Sequence, residues 1–308
     1  MVDHYSPPIV AEVDTAATGQ FVSREIATAT GTRRYKLYIP STYDGTKAFP
    51  LLVVLHGCTQ DPDNVARGTR FNQSAEESRV LVAYPEQPAA ANGLKCWNWF
   101  DVAHQKRDAG EPALIASMTR QVMSEVKVDS RRVYIAGLSA GAAMALTVAY
   151  AYPEIYAAAG LHSGIAYGVA TSTLEAVRRM GIGAADPADY AGLVARGMGS
   201  NKAIPTIVFH GKSDKTVNPA NADNIVTQLL AGFGPGVSGQ HAESGGTTAR
   251  GYHFTRRTYG NPVVIEEWSV DELGHAWSGG SKEGTYVDEN GPDATREMMR
   301  FFLAHPRS

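Results

Sequence analysis

Val133-Tyr134-Ile135-Ala136-Gly137-Leu138-Ser139-Ala140-Gly141-Ala142-Ala143-Met144 joins a short apolar run to an alanine-rich one through a turn built around a single serine. Arg132 to Ala136 reads as a strand, and Ala142 to Tyr150 reads as a helix. Gly137-Leu138-Ser139-Ala140-Gly141 is the only GxSxG in the chain, and its context says more than its letters. A serine at a tight strand-to-helix turn projects its hydroxyl above the edge of a sheet. The turn forces an uncommon backbone conformation, costing about 1–3 kcal/mol. Strand and helix can pass closely only if the flanking residues are small, as Gly137, Ala140, Gly141, Ala142 and Ala143 are. The helix N-terminus then points N–H groups toward developing negative charge. A glycine-rich turn that happens to contain serine is the plainer reading; the strand before and the helix after favour a nucleophile.

Outward from this turn, other apolar runs have the character of strands buried on both faces: Leu51 to Leu55, Val80 to Tyr84, Thr206 to Phe209 and Val263 to Val270, with alanine-rich Tyr156 to Leu161 as a further candidate. Helical spacing appears between most of them, at Leu114 to Val126, Leu174 to Met180, Ala220 to Leu230 and Thr295 to Leu303. Strands alternating with helices predict an α/β fold, a mostly parallel central sheet with helices on both faces. Phe21 to Ala27 and Arg34 to Ile39, around Thr30-Gly31-Thr32, predict an antiparallel hairpin, and Gly251 to Tyr259 a second one feeding the last strand through Gly260-Asn261. The glycine-rich stretch from Gly232 to Gly246 is expected to be a surface loop. Residues 1–18, rich in Pro, Ala and Thr, suggest a loosely held arm, leaving 19–308 as one catalytic domain.

With 308 residues, the chain can bury a substantial core without a metal or a disulfide framework. Its 44% hydrophobic and 19% charged residues are ordinary for a globular protein, and its net charge of −3 gives no reason to expect nucleic acid or an anionic membrane as partner. No apolar run approaches the roughly 20 residues that span a bilayer. Met1-Val2-Asp3-His4-Tyr5-Ser6-Pro7-Pro8 does not read as a signal peptide. The two cysteines, Cys58 and Cys96, have no CxxC or HxxxH partner that would make a zinc motif.

A serine hydroxyl needs a base. Two sequence positions downstream of Ser139 stand at strand ends: Asp214, in His210-Gly211-Lys212-Ser213-Asp214, and His275, in Asp271-Glu272-Leu273-Gly274-His275. In a parallel sheet these loops gather at one edge. Ser139, Asp214 and His275 thus form a candidate triad in the order serine, acid, histidine. Asp271 is a rival acid, four residues from His275, where so short a link limits the geometry. His162, His210, His241, His253 and His305 are rival bases, with His210 read as structural. The oxyanion calls for two N–H donors. Ala140 follows the nucleophile, and Cys58 lies in His56-Gly57-Cys58-Thr59-Gln60, the loop after the strand Leu51 to Leu55.

His56-Gly57-Cys58, Cys96-Trp97-Asn98-Trp99, the GxSxG, His210-Gly211-Lys212-Ser213-Asp214 and Gly274-His275-Ala276-Trp277-Ser278-Gly279-Gly280 together resemble the poly(3-hydroxybutyrate) depolymerase-type esterases, a group related to feruloyl and acetylxylan esterases. The resemblance runs from about Phe21 to the C-terminal helix. It implies the α/β-hydrolase fold, a Ser139–Asp214–His275 triad, oxyanion donors at Cys58 and Ala140, no cofactor, and a Cys58–Cys96 disulfide. Such a bridge would add roughly 3–4 kcal/mol in the chain-entropy model and implies an extracellular or periplasmic home, with the cytoplasm left open. Glu272 departs from the glycine expected there. Many secreted polymer depolymerases carry a separate polymer-binding domain; none is seen in this sequence, which turns the expectation toward soluble esters.

Trp97, Trp99 and Trp277 are expected to line or border the cleft, ordinary core packing being the alternative. Asp288-Glu289-Asn290-Gly291 lacks the remaining ligands of a calcium loop and reads as a turn. The expected function is serine-esterase hydrolysis of hydroxyalkanoate polyesters or their oligomers. Feruloyl or acetyl esters on polysaccharide form a second reading, and a non-catalytic binding protein on a hydrolase scaffold a third, from another class.

Overall fold

In the computed structural model, which describes residues 19–28, 31–183, 190–198 and 202–308, the serine turn sits near the middle of the principal sheet. In chain order its strands are β1 (Gln20–Thr28), β2 (Gly31–Ile39), β3 (Phe49–Leu55), β4 (Leu81–Pro85), β5 (Val128–Leu138), β6 (Ala158–His162), β7 (Thr206–Gly211), β8 (His241–Thr247), β9 (His253–Tyr259) and β10 (Ile265–Val270). They lie side by side in the order β1-β2-β4-β3-β5-β6-β7-β10-β9-β8. The six from β4 to β10 pair in parallel, and an antiparallel hairpin flanks them on each side. Two short strands, β11 (Trp277–Ser278) and β12 (Val287–Asp288), pair separately.

The helices are α1 (Pro62–Thr69), α2 (Phe71–Ser78), α3 (Gly110–Glu125), α4 (Ala140–Ala151), α5 (Thr173–Ile182), α6 (Tyr190–Met198), α7 (Ala220–Phe233), α8 (Pro235–Ser238) and α9 (Ala294–Ala304). Side chains alternate between the faces of a strand, so each central strand feeds two cores. Leu51, Val53 and Leu55 pack with α3, α4 and α7; Leu52 and Val54 pack with α1, α2 and α9. Every residue of β3, β4, β6 and β7 is buried, which explains their mainly apolar sequences. All twelve residues of α4 are buried, so its alanines meet the sheet and neighbouring helices on every side. No helix among the described residues is long and apolar enough to cross a membrane.

One sequence expectation is corrected. Residues 232–246 are not a loop throughout: α7 continues to Phe233, α8 follows, and His241–Thr247 forms the edge strand β8 on β9. Nearly all of β8 is exposed. It supplies backbone hydrogen bonds but buries almost no side chain, so no apolar alternation marks it. Helices α1 and α2 were not anticipated either. The signal for α1 was local: the Asp61 side chain accepts the Asn64 N–H, and Pro62 opens the first turn. The expected arm, residues 1–18, lies outside the described residues.

Candidate active site

Ser139 links β5 to α4 with φ 57° and ψ −120°, a conformation that a residue with a side chain rarely adopts. Its N–H donates to the His162 carbonyl (2.9 Å), and its own carbonyl accepts the Ala142 and Ala143 N–H groups (2.9 and 3.0 Å). The flanking glycines are required by contact. A Cβ on Gly137 would overlap the Gly141 carbonyl, and one on Gly141 would overlap the carbonyls of Leu55 and His56. The start of α4 is thereby pressed against the end of β3, the strand that leads to Cys58.

Loops after β7 and β10 bring up the other two residues. Ser213 N–H donates to the Leu273 carbonyl (3.1 Å) and Lys212 N–H to the Val270 carbonyl (2.8 Å), tying these loops together. His275 Nδ1–H donates to Asp214 Oδ2 at 2.7 Å, and Ser139 Oγ–H donates to His275 Nε2 at 3.0 Å. A carboxylate only accepts, so it fixes the proton on Nδ1 and leaves Nε2 free to receive the serine proton. Asp214 Oδ1 accepts the Thr216 and Val217 N–H groups, each at 2.8 Å. Burial works against the Asp214 charge, but hydrogen bonds from His210, His275 and the Val217 N–H hold its carboxyl well below the usual range.

The rivals make other contacts, His210 among them beside the acid, its Nε2 3.4 Å from Asp214 Oδ2. Asp271 pairs with Lys212 at 2.8 Å, and Glu272 with His253 at 2.7 Å. His162 Nε2 accepts the Ser278 N–H (3.0 Å), and burial holds its imidazole well below its ordinary value, with His210 and His275 adding to the effect. His210 Nε2–H donates to the Val217 carbonyl at 2.9 Å, and His305 bonds the carbonyls of Phe301 and Val263. His241 lies on the edge strand β8.

Ala140 opens α4, so its N–H has no intrahelical acceptor. Cys58 and Ala140 both line a cleft of about 440 Å³ together with Ser139 and His275. Cys58 is bridged to Cys96 with a Cα–Cα distance of 4.2 Å, as the sequence resemblance implied. Behind the bridge, His56 Nδ1–H donates to the Gly57 carbonyl (2.8 Å), while its Nε2 accepts the Gln87 N–H (3.1 Å). Among the described residues, no group of three or more His, Cys, Asp or Glu is placed to hold a metal ion.

Residues 33–249 match the family described as Esterase PHB depolymerase. The chain belongs to that family. It is 30% identical over 280 residues to poly(3-hydroxyalkanoate) depolymerase C of Paucimonas lemoignei, covering 88% of this chain and 65% of that protein. It is 26% identical to feruloyl esterase B of Thermothelomyces thermophilus, covering 87% of this chain and 91% of that one. This family member thus spans just under two thirds of the depolymerase. Its fold is similar to that of acetyl xylan esterase from Aspergillus awamori, with a TM-score of 0.73 at 20% identity, over 92% of this chain and 99% of that one. The fold is the α/β-hydrolase type.

Of the three tryptophans expected at the cleft of this PHB depolymerase-family chain, Trp99 lines it. Trp97 and Trp277 do not, which corrects that expectation: both are fully buried. Trp97 Nε1–H donates to the His56 carbonyl (3.1 Å) and so braces the loop carrying Cys58. Trp277 Nε1–H donates to Thr295 Oγ1 (3.0 Å), and its ring lies between Phe71 and His162. The walls that sequence reading missed are Leu94, Phe100, Ile165, Val177, Met180 and Tyr286. None carries a local motif. The helical spacing of Leu174 to Met180 places Val177 on α5 but gives no sign that it faces a cleft.

Proposed function

We propose that this chain hydrolyses carboxylic esters through an acyl-enzyme on Ser139. His275 Nε2 takes the hydroxyl proton as Ser139 Oγ attacks the ester carbonyl, and Asp214 stabilises the imidazolium that results. The Cys58 and Ala140 N–H groups receive the developing oxyanion. Collapse of the tetrahedral species breaks the bond to the alcohol oxygen, which takes the proton from His275. Water, deprotonated by the same imidazole, then attacks the acyl-enzyme; the acid leaves and the proton returns to Ser139. No cofactor enters the scheme. The observation that carries the reading is the chain of contacts from Ser139 Oγ to His275 (3.0 Å) and on to Asp214 (2.7 Å), opening on a cleft.

For substrate we favour hydroxyalkanoate polyesters or their oligomers. The mainly apolar walls at Leu94, Phe100, Ile165, Val177 and Met180 suit an aliphatic chain, and the depolymerase relative supports the same class. A feruloyl ester is the second reading, favoured by the aromatic walls Trp99 and Phe100 and by the feruloyl esterase relative. The Cys58–Cys96 bridge supports an extracellular or periplasmic location. The test is a panel of hydroxybutyrate oligomers, short alkanoate esters and methyl ferulate, run on wild type and Ser139→Ala. Substitution should reduce kcat/KM by about 10⁴-fold or more. Near-normal turnover by Ser139→Ala refutes the mechanism, and preference for methyl ferulate over the oligomers refutes the substrate assignment. An organophosphate that leaves Ser139 unlabelled would favour the binding-protein reading.

A further inference from the structure

Tyr286 is a bulky residue held at φ 54°, in the left-handed region, on the wall of the cleft. Tyrosine gains nothing locally from that conformation, so neighbouring contacts must hold it there. Two such contacts do so. The Tyr286 carbonyl accepts the Trp277 N–H at 2.7 Å, which fixes Tyr286 to the segment just beyond His275. Its hydroxyl meets Thr59 Oγ1 at 3.2 Å. Thr59 also sits at positive φ, and its hydroxyl donates to the Cys58 carbonyl at 2.6 Å. The single threonine proton is therefore committed, so Tyr286 is the donor to Thr59. Beside this contact, Gln60 Nε2 donates to the Thr285 carbonyl (3.0 Å), and the Thr285 N–H and hydroxyl donate to Asn64 Oδ1 (3.1 and 2.9 Å). A strap of hydrogen bonds thus joins the segment after Cys58 to the segment after His275, with Tyr286 at its cleft end.

The Tyr286 ring stands edge-on to His275, with centroids 6.4 Å apart. In the mechanism proposed above, on which this inference rests, His275 delivers its proton to the departing alcohol oxygen. The alcohol portion of the ester must therefore leave past His275, on the side that Tyr286 walls. Ile165, Val177 and Met180, apolar residues of the same cleft, are assigned to the acyl portion. We propose that Tyr286, tethered by Thr59, forms the wall of the alcohol subsite and sets how large an alcohol the site releases. The strained backbone and the tether keep the ring from swinging aside when a bulky alcohol enters.

Two ester series test this. One keeps a butanoyl group and lengthens the alcohol from methyl to hexyl; the other keeps methyl alcohol and lengthens the acyl chain from acetyl to hexanoyl. Wild type, Tyr286→Phe, Tyr286→Ala and Thr59→Ala are compared by kcat/KM. Tyr286→Ala is expected to shift the ranking toward large alcohols by roughly ten-fold or more, since a pocket discriminates by about that factor per methylene it can no longer exclude. Tyr286→Phe and Thr59→Ala, which cut the tether and keep the ring, should shift it the same way by less. The acyl ranking should stay as in wild type. An alcohol ranking unmoved in Tyr286→Ala, or acyl and alcohol rankings moved alike, overturns the proposal; should Tyr286→Ala not fold, the two tether variants decide on the same criterion. Failure of wild type to hydrolyse either series overturns the esterase reading and this inference with it, whereas hydrolysis with a fixed alcohol ranking overturns this inference alone.

Discussion

Removing the Cys58–Cys96 bridge should lower both stability and turnover, by amounts that can be separated. The bridge spans 38 positions, which in the chain-entropy model restrains the unfolded chain by about 4 kcal/mol. A chain of 308 residues has an unfolding entropy near 0.65 kcal/mol/K at its midpoint, so the double variant Cys58→Ser/Cys96→Ser should melt about 6 °C lower. The catalytic effect has a different origin. Cys58 carries a proposed oxyanion donor, and complete loss of one donor costs about 3 kcal/mol of transition-state stabilisation. The His56 contact to the Gly57 carbonyl and the Trp97 contact to the His56 carbonyl survive in the variant, so the donor is loosened and not removed. A fall in kcat of roughly ten-fold, with KM little changed, is expected because the donor acts in the transition state. Thermal unfolding and steady-state kinetics at a temperature where both proteins are folded give the two numbers, and reduced wild type should behave like the variant. An unchanged midpoint refutes the entropy argument. A lowered midpoint with unaltered kcat refutes the assignment of Cys58 as donor and leaves the bridge as a staple only.

Acid should destabilise the protein before its carboxylates titrate. His56 and His162 are buried, each accepts a backbone N–H at Nε2, and burial above all lowers both below their ordinary value. A group depressed in the folded state contributes stability above its unfolded value, near 6.5, and that contribution is lost as pH falls. Two such histidines give a slope of at most about 2.7 kcal/mol per pH unit below that point. Glu111 and Glu267, pushed up by burial, act in the opposite sense. Asp214, held low, adds its own loss below about pH 4. Urea midpoints between pH 7.5 and 5 check this, and a flat profile contradicts it. Glu111→Gln should destabilise by about 2–3 kcal/mol, because the buried carboxylate accepts from Gln87 Nε2, Asn98 Nδ2 and the Asn98 N–H (2.6, 2.6 and 2.7 Å), and an amide would set donor against donor. An unchanged urea midpoint would show that the network tolerates the exchange.

What could be read from sequence was what the backbone itself constrains. Gly137 and Gly141 are glycines because a Cβ would strike carbonyls, so the serine turn is written in the chain as small residues between an apolar run and an alanine-rich one. Asp214 and His275 stand in the loops that follow the buried strands β7 and β10, and a parallel sheet brings such positions to one edge whatever lies between them. The exposed edge strand β8 lies at the other extreme: it is held by backbone pairing, and its side chains carry no burial signal. The cleft walls were illegible for a related reason. Trp97 and Trp277 look alike in sequence to a cleft-lining tryptophan, yet each spends its indole N–H on a buried acceptor and packs inward. Tyr286 gave no local sign at all, since its partner Thr59 is 227 positions away and its conformation is imposed by loops that meet only in the folded chain. The proposed catalytic residues thus stand at strand ends, where sequence periodicity reports them, and the proposed alcohol wall rests on contacts between loops, where it does not.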